Sequence, residues 1–142
     1  MPLFPSKRLV ITLSYRSCKV LLNLRSQRVS ILNGEVPVLE DALPNASVTG
    51  FTRPSAALAF AKNTKIALAF LDIEMGQING LDLCRDLLKI HPNTNVIFLT
   101  AYMEYSFQAW DTGACGFLLK PITTKTVRHQ LGLLRYPVRG LI

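Results

Sequence analysis

Three polar residues stand immediately after apolar runs of the chain. Asp72 follows Ile66–Leu71, Thr100 follows Asn95–Leu99, and Lys120 follows Gly116–Leu119. A carboxylate can attack phosphorus and form an acyl phosphate. A lysine ammonium pairs with a phosphoryl oxygen as a point charge, and a small hydroxyl adds a further hydrogen bond. Phosphoryl transfer rests on positioning and charge neutralisation, with magnesium usually bridging the oxygens. Magnesium at such a site would need carboxylates besides Asp72.

The elements that must position these residues are legible in the alternation of the chain. From about residue 46 short apolar runs (Ala46–Phe51, Ile66–Leu71, Asn95–Leu99, Gly116–Leu119) are separated by amphipathic stretches. Residues 54–62 open with Pro54, which suits a first helical turn. Residues 80–90 put Leu81, Cys84 and Leu88 on one face and end before His91-Pro92. Residues 103–112 stop at Gly113. Residues 123–135 place Val127, Leu131 and Leu134 at helical spacing, with Thr123 or Thr124 as cap. The runs do not alternate with polar residues, as expected of strands covered on both faces. Strand and helix in turn predict crossover units and a parallel sheet, hence a three-layer, doubly wound α/β domain. In such sheets ligands bind beyond the carboxyl ends of the strands, where Asp72, Thr100 and Lys120 fall.

Residues 1–45 are less regular. Leu9–Leu13 and Val20–Leu24 both read as strands and compete for one place, and 31–43 make a poor helix, broken by Gly34 and Pro37. Charge separates this part from the rest. The 142 residues carry a net charge of +7, yet residues 1–34 hold six basic residues and no acid, whereas 35–142 are nearly balanced. The basicity is therefore that of an N-terminal segment, read as a poorly ordered extension. It lacks the interleaved aromatics of a single-strand binder, so direct nucleic-acid binding is not expected. With 49% hydrophobic and 18% charged residues the chain can bury a core. Its longest apolar run is far short of a membrane span, and a signal-peptide apolar region is missing, so a cytoplasmic protein without membrane association is expected. Cys18, Cys84 and Cys115 form no CxxC pair and read as idle thiols. His91 and His129 read as solvated.

Residues 66–82 (IALAFLDIEMGQINGLD), 96–101 (VIFLTA) and 116–122 (GFLLKPI) together resemble the receiver domain of two-component response regulators. The resemblance covers roughly residues 46–136. It implies a flavodoxin-like (βα)5 fold of strand order 2-1-3-4-5, with a receiver at 35–136, the basic segment at 1–34 and the start of a linker at 137–142. It implies a phosphoacceptor rather than an enzyme, with at most self-catalysed phosphotransfer and dephosphorylation. A sensor histidine kinase would phosphorylate Asp72, in a phosphorelay that controls an output domain, typically one that binds DNA and regulates transcription. Magnesium would be held by Asp72 and the main-chain carbonyl of Glu74. Thr100, Ala101 and Lys120 would surround the phosphoryl group, with Thr100 and Phe117 as switch residues and a cis peptide at Lys120-Pro121. A homodimer would pair through the fourth helix, fifth strand and fifth helix, near Tyr102, Tyr105 and Trp110; core packing of at least one of these rings is also expected.

Two positions depart from the family pattern. Gly76 stands where proline is usual. More consequentially, the acidic pair that ends the first strand has no counterpart: counting back from Phe51 lands near Arg25, Ser26 and Gln27, while Glu40 and Asp41 fit the end of the first helix. A phosphorylatable site would then need acids from elsewhere, such as Glu40, Asp41 or Glu74. The departure motivates an alternative, a non-phosphorylated pseudo-receiver that acts as a protein-interaction module. A flavin- or nucleotide-binding domain of the same architecture would need a glycine-rich or Ser/Thr-rich phosphate loop, which the sequence lacks.

Overall fold

The computed structural model describes residues 8–9, 20–23, 37–44, 46, 48–51, 54–73 and 80–138. Among the described residues six strands form one sheet: β1 (Arg8–Leu9), β2 (Val20–Asn23), β3 (Val48–Phe51), β4 (Leu68–Asp72), β5 (Asn95–Thr100) and β6 (Gly116–Leu119). Their order is β1-β3-β2-β4-β5-β6. The five strands from β2 onward are parallel to one another and reproduce the expected 2-1-3-4-5 order. β1 adds a short antiparallel edge, Arg8 opposite Phe51.

The two strand candidates near the N-terminus thus do not compete. Val20–Asn23 takes the place between β3 and β4, and Arg8–Leu9 pairs along the outer edge of β3. The basic segment read as an extension contributes both; its other residues lie outside the described ones.

Helix α1 covers residues 37–42. Residues 31–43 are expected to make a poor helix, broken by Gly34 and Pro37, yet 37–42 are helical; Gly34 lies outside the described residues. Then follow α2 (Pro54–Asn63), α3 (Gly80–Ile90), a 3-10 turn (Met103–Tyr105) leading into α4 (Ser106–Asp111), and α5 (Thr124–Leu131).

Strands β4 and β5 are buried at every residue, so alternate side chains supply two cores. Leu68, Phe70, Ile97 and Leu99 join Leu39 of α1, Leu43 just after it, and Val127 and Leu131 of α5. Ala69, Leu71, Val96 and Phe98 join Ala57 and Ala61 of α2, Leu83, Cys84 and Leu87 of α3, and Ala109 of α4. These are the three layers that uninterrupted apolar strands require. On α3 the buried set includes Leu83 and Leu87 with Leu81 and Cys84, while Leu88 is half-buried. Burial pushes the Cys84 thiol up from its ordinary pKa, and it donates to Thr112 Oγ1 at 3.3 Å.

Helix ends follow local chemistry. Thr123 caps α5, its hydroxyl accepting from Thr126 N–H at 3.1 Å in a capping box. The helix expected to reach residue 135 ends at Leu131 with Gly132 as C-cap; Leu134 packs on the core from beyond the helix. His91, read as solvated, instead binds the end of α2: its Nε2 lies 2.6 Å from Ala61 O and 3.0 Å from Thr64 O, where orphan carbonyls need donors. His129 is exposed.

Gly113, after α4, has φ +93°, a conformation that costs an L side chain about 1–2 kcal/mol. Gly113→Ala is therefore expected to lower unfolding free energy by about 1–2 kcal/mol, read from the urea midpoint with the m-value unchanged.

Candidate functional site

The carboxyl edge of the sheet gathers Asp72, Thr100 and Lys120. In register, Asp72 of β4 lies beside Leu99 of β5, and Thr100 beside Leu119 of β6. The next residue along β6 is Lys120, whose main-chain N–H donates to Thr100 O at 2.7 Å. Three strands in this order bring one carboxylate, one hydroxyl and one ammonium to one edge, as the sequence predicts.

Asp72 is 4% exposed. Lys120 Nζ donates to its Oδ2 at 2.7 Å, a charge-assisted contact with the lysine side chain 24% exposed. The carboxylate therefore stays at a strand end, nearly out of water, with a cation against it. Thr100 is fully buried, and its Oγ1 accepts Tyr102 N–H at 3.1 Å. Ala101, next in the chain, is exposed and small. Phe117, on β6, is half-buried and packs against the α2–α3–α4 core. The Lys120-Pro121 peptide is cis, as expected.

The floor of the site is tight. Gly80 N–H donates to Ile73 O at 3.0 Å, and Ile73 N–H to Leu99 O at 3.2 Å. A Cβ on Gly80 would sit 2.3 Å from the Asp72 carbonyl oxygen, so α3 can begin this close to β4 only with glycine. The closeness of Gly80 to Asp72 emerges only in three dimensions.

The donor set for magnesium is thin. Among the described residues no group of three or more His, Cys, Asp and Glu is placed to hold a metal ion. Glu74, with Gly76 and Asn79, lies outside the described residues. Asp41 is engaged elsewhere, its Oδ2 accepting from Thr124 Oγ1 at 2.8 Å. β2 ends with Asn23 beside Leu71, one residue short of Asp72, and the sequence continues Leu24, Arg25, Ser26, Gln27 with no carboxylate. The described residues by themselves do not make a magnesium site.

Of the three rings near α4, Tyr105 is half-buried against the core. Tyr102 and Trp110 are about half exposed, alongside exposed Met103 and Phe107. Among the described residues no helix is long and apolar enough to cross a membrane.

Residues 31–131 match the response regulator receiver domain. The chain is similar to an uncharacterised response regulatory protein of Yersinia pestis, 31% identical over 111 residues, covering 73% of this chain and 46% of that protein. Among solved structures it resembles a CheY-like receiver domain protein from Methanospirillum hungatei (TM-score 0.69, 22% identity, 80% of this chain and 90% of that one). It also resembles a response regulator protein from Burkholderia pseudomallei with a phosphorylated aspartic acid, calcium ion and citrate (TM-score 0.66, 23% identity, 82% and 66%). The chain spans less than half the length of the curated relatives it matches.

A carboxylate and an ammonium in contact with little water couple measurably. Asp72→Ala, Lys120→Ala and the double variant, compared by urea unfolding, are expected to give a coupling energy of about 1–3 kcal/mol. Additive effects would mean that the contact carries no energy.

Proposed function

The chain belongs to the response regulator receiver domain family of two-component systems, and from that premise we propose that Asp72 accepts a phosphoryl group from a sensor histidine kinase. The observation that carries this reading is the 2.7 Å contact of Lys120 Nζ with the buried Asp72 Oδ2. In the proposed step a carboxylate oxygen of Asp72 attacks phosphorus, forming the O–P bond of an acyl phosphate. The P–N bond of the phosphohistidine donor breaks, and the imidazole leaves with the electron pair and takes up a proton. The Lys120 ammonium, already at the carboxylate, turns to a phosphoryl oxygen and balances its charge. The Thr100 hydroxyl reaches the same group, Phe117 of β6 acts as the switch ring, and Ala101 leaves the approach open. A bound magnesium would supply further charge neutralisation. Signalling would pass to an output domain or partner in the cytoplasm, transcriptional regulation being the expected end. The exposed Tyr102, Met103, Phe107 and Trp110 support pairing of two copies through α4, β6 and α5.

One observation favours a second reading. No acid follows β2 in the sequence where the family's metal-holding pair stands. The same fold would then serve as a pseudo-receiver, a protein-interaction module whose Asp72 stays unmodified.

Intact mass after exposure to a small-molecule phosphodonor separates the two. The phosphoacceptor reading expects one phosphoryl gain, dependent on magnesium and lost in Asp72→Ala. No gain in a sample whose circular dichroism shows the folded sheet would overturn it and leave the pseudo-receiver.

A further inference from the structure

The opposite edge of the sheet carries a second polar construction that phosphoryl chemistry does not use. β5 opens with Asn95, which is 1% exposed. A buried carboxamide needs partners for its oxygen and its two N–H groups. Nδ2 donates to Ala67 O at 3.1 Å and to Tyr136 O at 2.7 Å, and Oδ1 accepts Tyr136 N–H at 2.8 Å. Two of these three bonds read the main chain of one residue, as a neighbouring strand would.

The segment is shaped for that reading. Pro137 follows Tyr136, and a residue before proline is held to extended conformations, which aims its N–H and C=O sideways. One residue earlier, Arg135 donates from Nη1 to Gly113 O at 2.9 Å and from Nη2 to Ala114 O at 3.1 Å. Its guanidinium fork thus spans two consecutive carbonyls of the turn between α4 and β6. Leu134 and Val138 flank these contacts and pack on the core beside α5. Next to the seated segment lies an open cleft of about 450 Å³, with Tyr136, Pro137 and Val138 on one wall and His91, Asn93 and Thr94 among the rest. The segment is held at defined points and faces solvent beside them.

We propose that Asn95, with the carbonyls of Gly113 and Ala114, forms a backbone-reading seat for the chain as it leaves the domain. Its ligand is the domain's own extended segment, residues 134–138, recognised through the main chain of Tyr136 and the guanidinium of Arg135. The seat makes this segment part of the folded body rather than a free linker. The direction in which any following chain departs is set by β5 and the α4–β6 turn. Seat and candidate phosphoryl site lie at the two ends of one strand, Asn95 and Thr100. The seat does not depend on Asp72 being phosphorylated.

Amide hydrogen exchange on the whole chain tests this. In the wild type the residue 136 amide is expected to exchange at least about tenfold more slowly than a free chain. Tyr136→Ala should keep that protection, because the main chain is what is read. Arg135→Gln and Asn95→Ala should lose most of it while β4 amides stay protected. Free-chain exchange at residue 136 in the wild type would overturn the proposal, as would full protection in Arg135→Gln. Loss in Tyr136→Ala would assign the hold to side-chain packing and overturn it too. Should Asn95→Ala unfold the sheet, Arg135→Gln decides alone, since Arg135 is exposed and its loss leaves the core intact.

Discussion

Keeping one carboxylate nearly out of water at the end of a strand is the constraint on which the rest of the site depends. An ion removed from water costs several kcal/mol unless a counter-charge and hydrogen bonds meet it. For Asp72 the counter-charge comes from Lys120, two strands away across β5. That reach works only if β4, β5 and β6 are adjacent, parallel and in this register. A one-residue slip of β6 would turn Lys120 to the other face of the sheet. The Lys120 N–H bond to Thr100 O pins that register at the point where it matters, and Gly80 lets α3 start against the Asp72 carbonyl without displacing it.

Stability alone does not account for such a pair. Apolar side chains of similar volume often replace a buried ion pair at no loss, or with a gain. The surrounding strands show that this chain builds apolar interiors readily, since β4 is Leu-Ala-Phe-Leu before it reaches Asp72. An aspartate placed there, with a lysine brought to it from β6, breaks the local apolar rule at one point. Such breaks are where function concentrates.

How much of this was legible in the sequence follows from the same physics. Strands covered on both faces read as unbroken apolar runs, so β4, β5 and β6 and the polar residues ending them could be placed closely. The first two strands could not, because Leu9–Leu13 and Val20–Leu24 look alike and only pairing decides which is central. The end of α5 was misplaced because Leu134 keeps helical spacing with Val127 and Leu131 although the helix stops at Gly132. His91 gave no signal, since its partners are carbonyls of α2 about thirty residues earlier. Asn95 read as the first residue of a strand; its role needs Tyr136, 41 residues on.

The distribution of buried polar residues explains why the two constructions sit where they do. Among the described residues these are Asp72, Thr94, Asn95, Thr100 and Thr112, and each stands at or beside the end of a strand or helix. Midway along β5, between Asn95 and Thr100, the side chains are Val96, Ile97, Phe98 and Leu99, shared between the two cores. A strand sealed on both faces has polar main-chain neighbours for a side chain only at its ends, where the ladder stops and carbonyls and N–H groups come free. The carboxyl ends here assemble charge, a carboxylate and an ammonium in contact. The amino ends assemble hydrogen bonds of the Asn95 carboxamide and the Arg135 guanidinium, which hold a peptide segment. One apolar rod between them separates the carboxylate–ammonium pair at one end from the hydrogen bonds that hold the exit segment at the other.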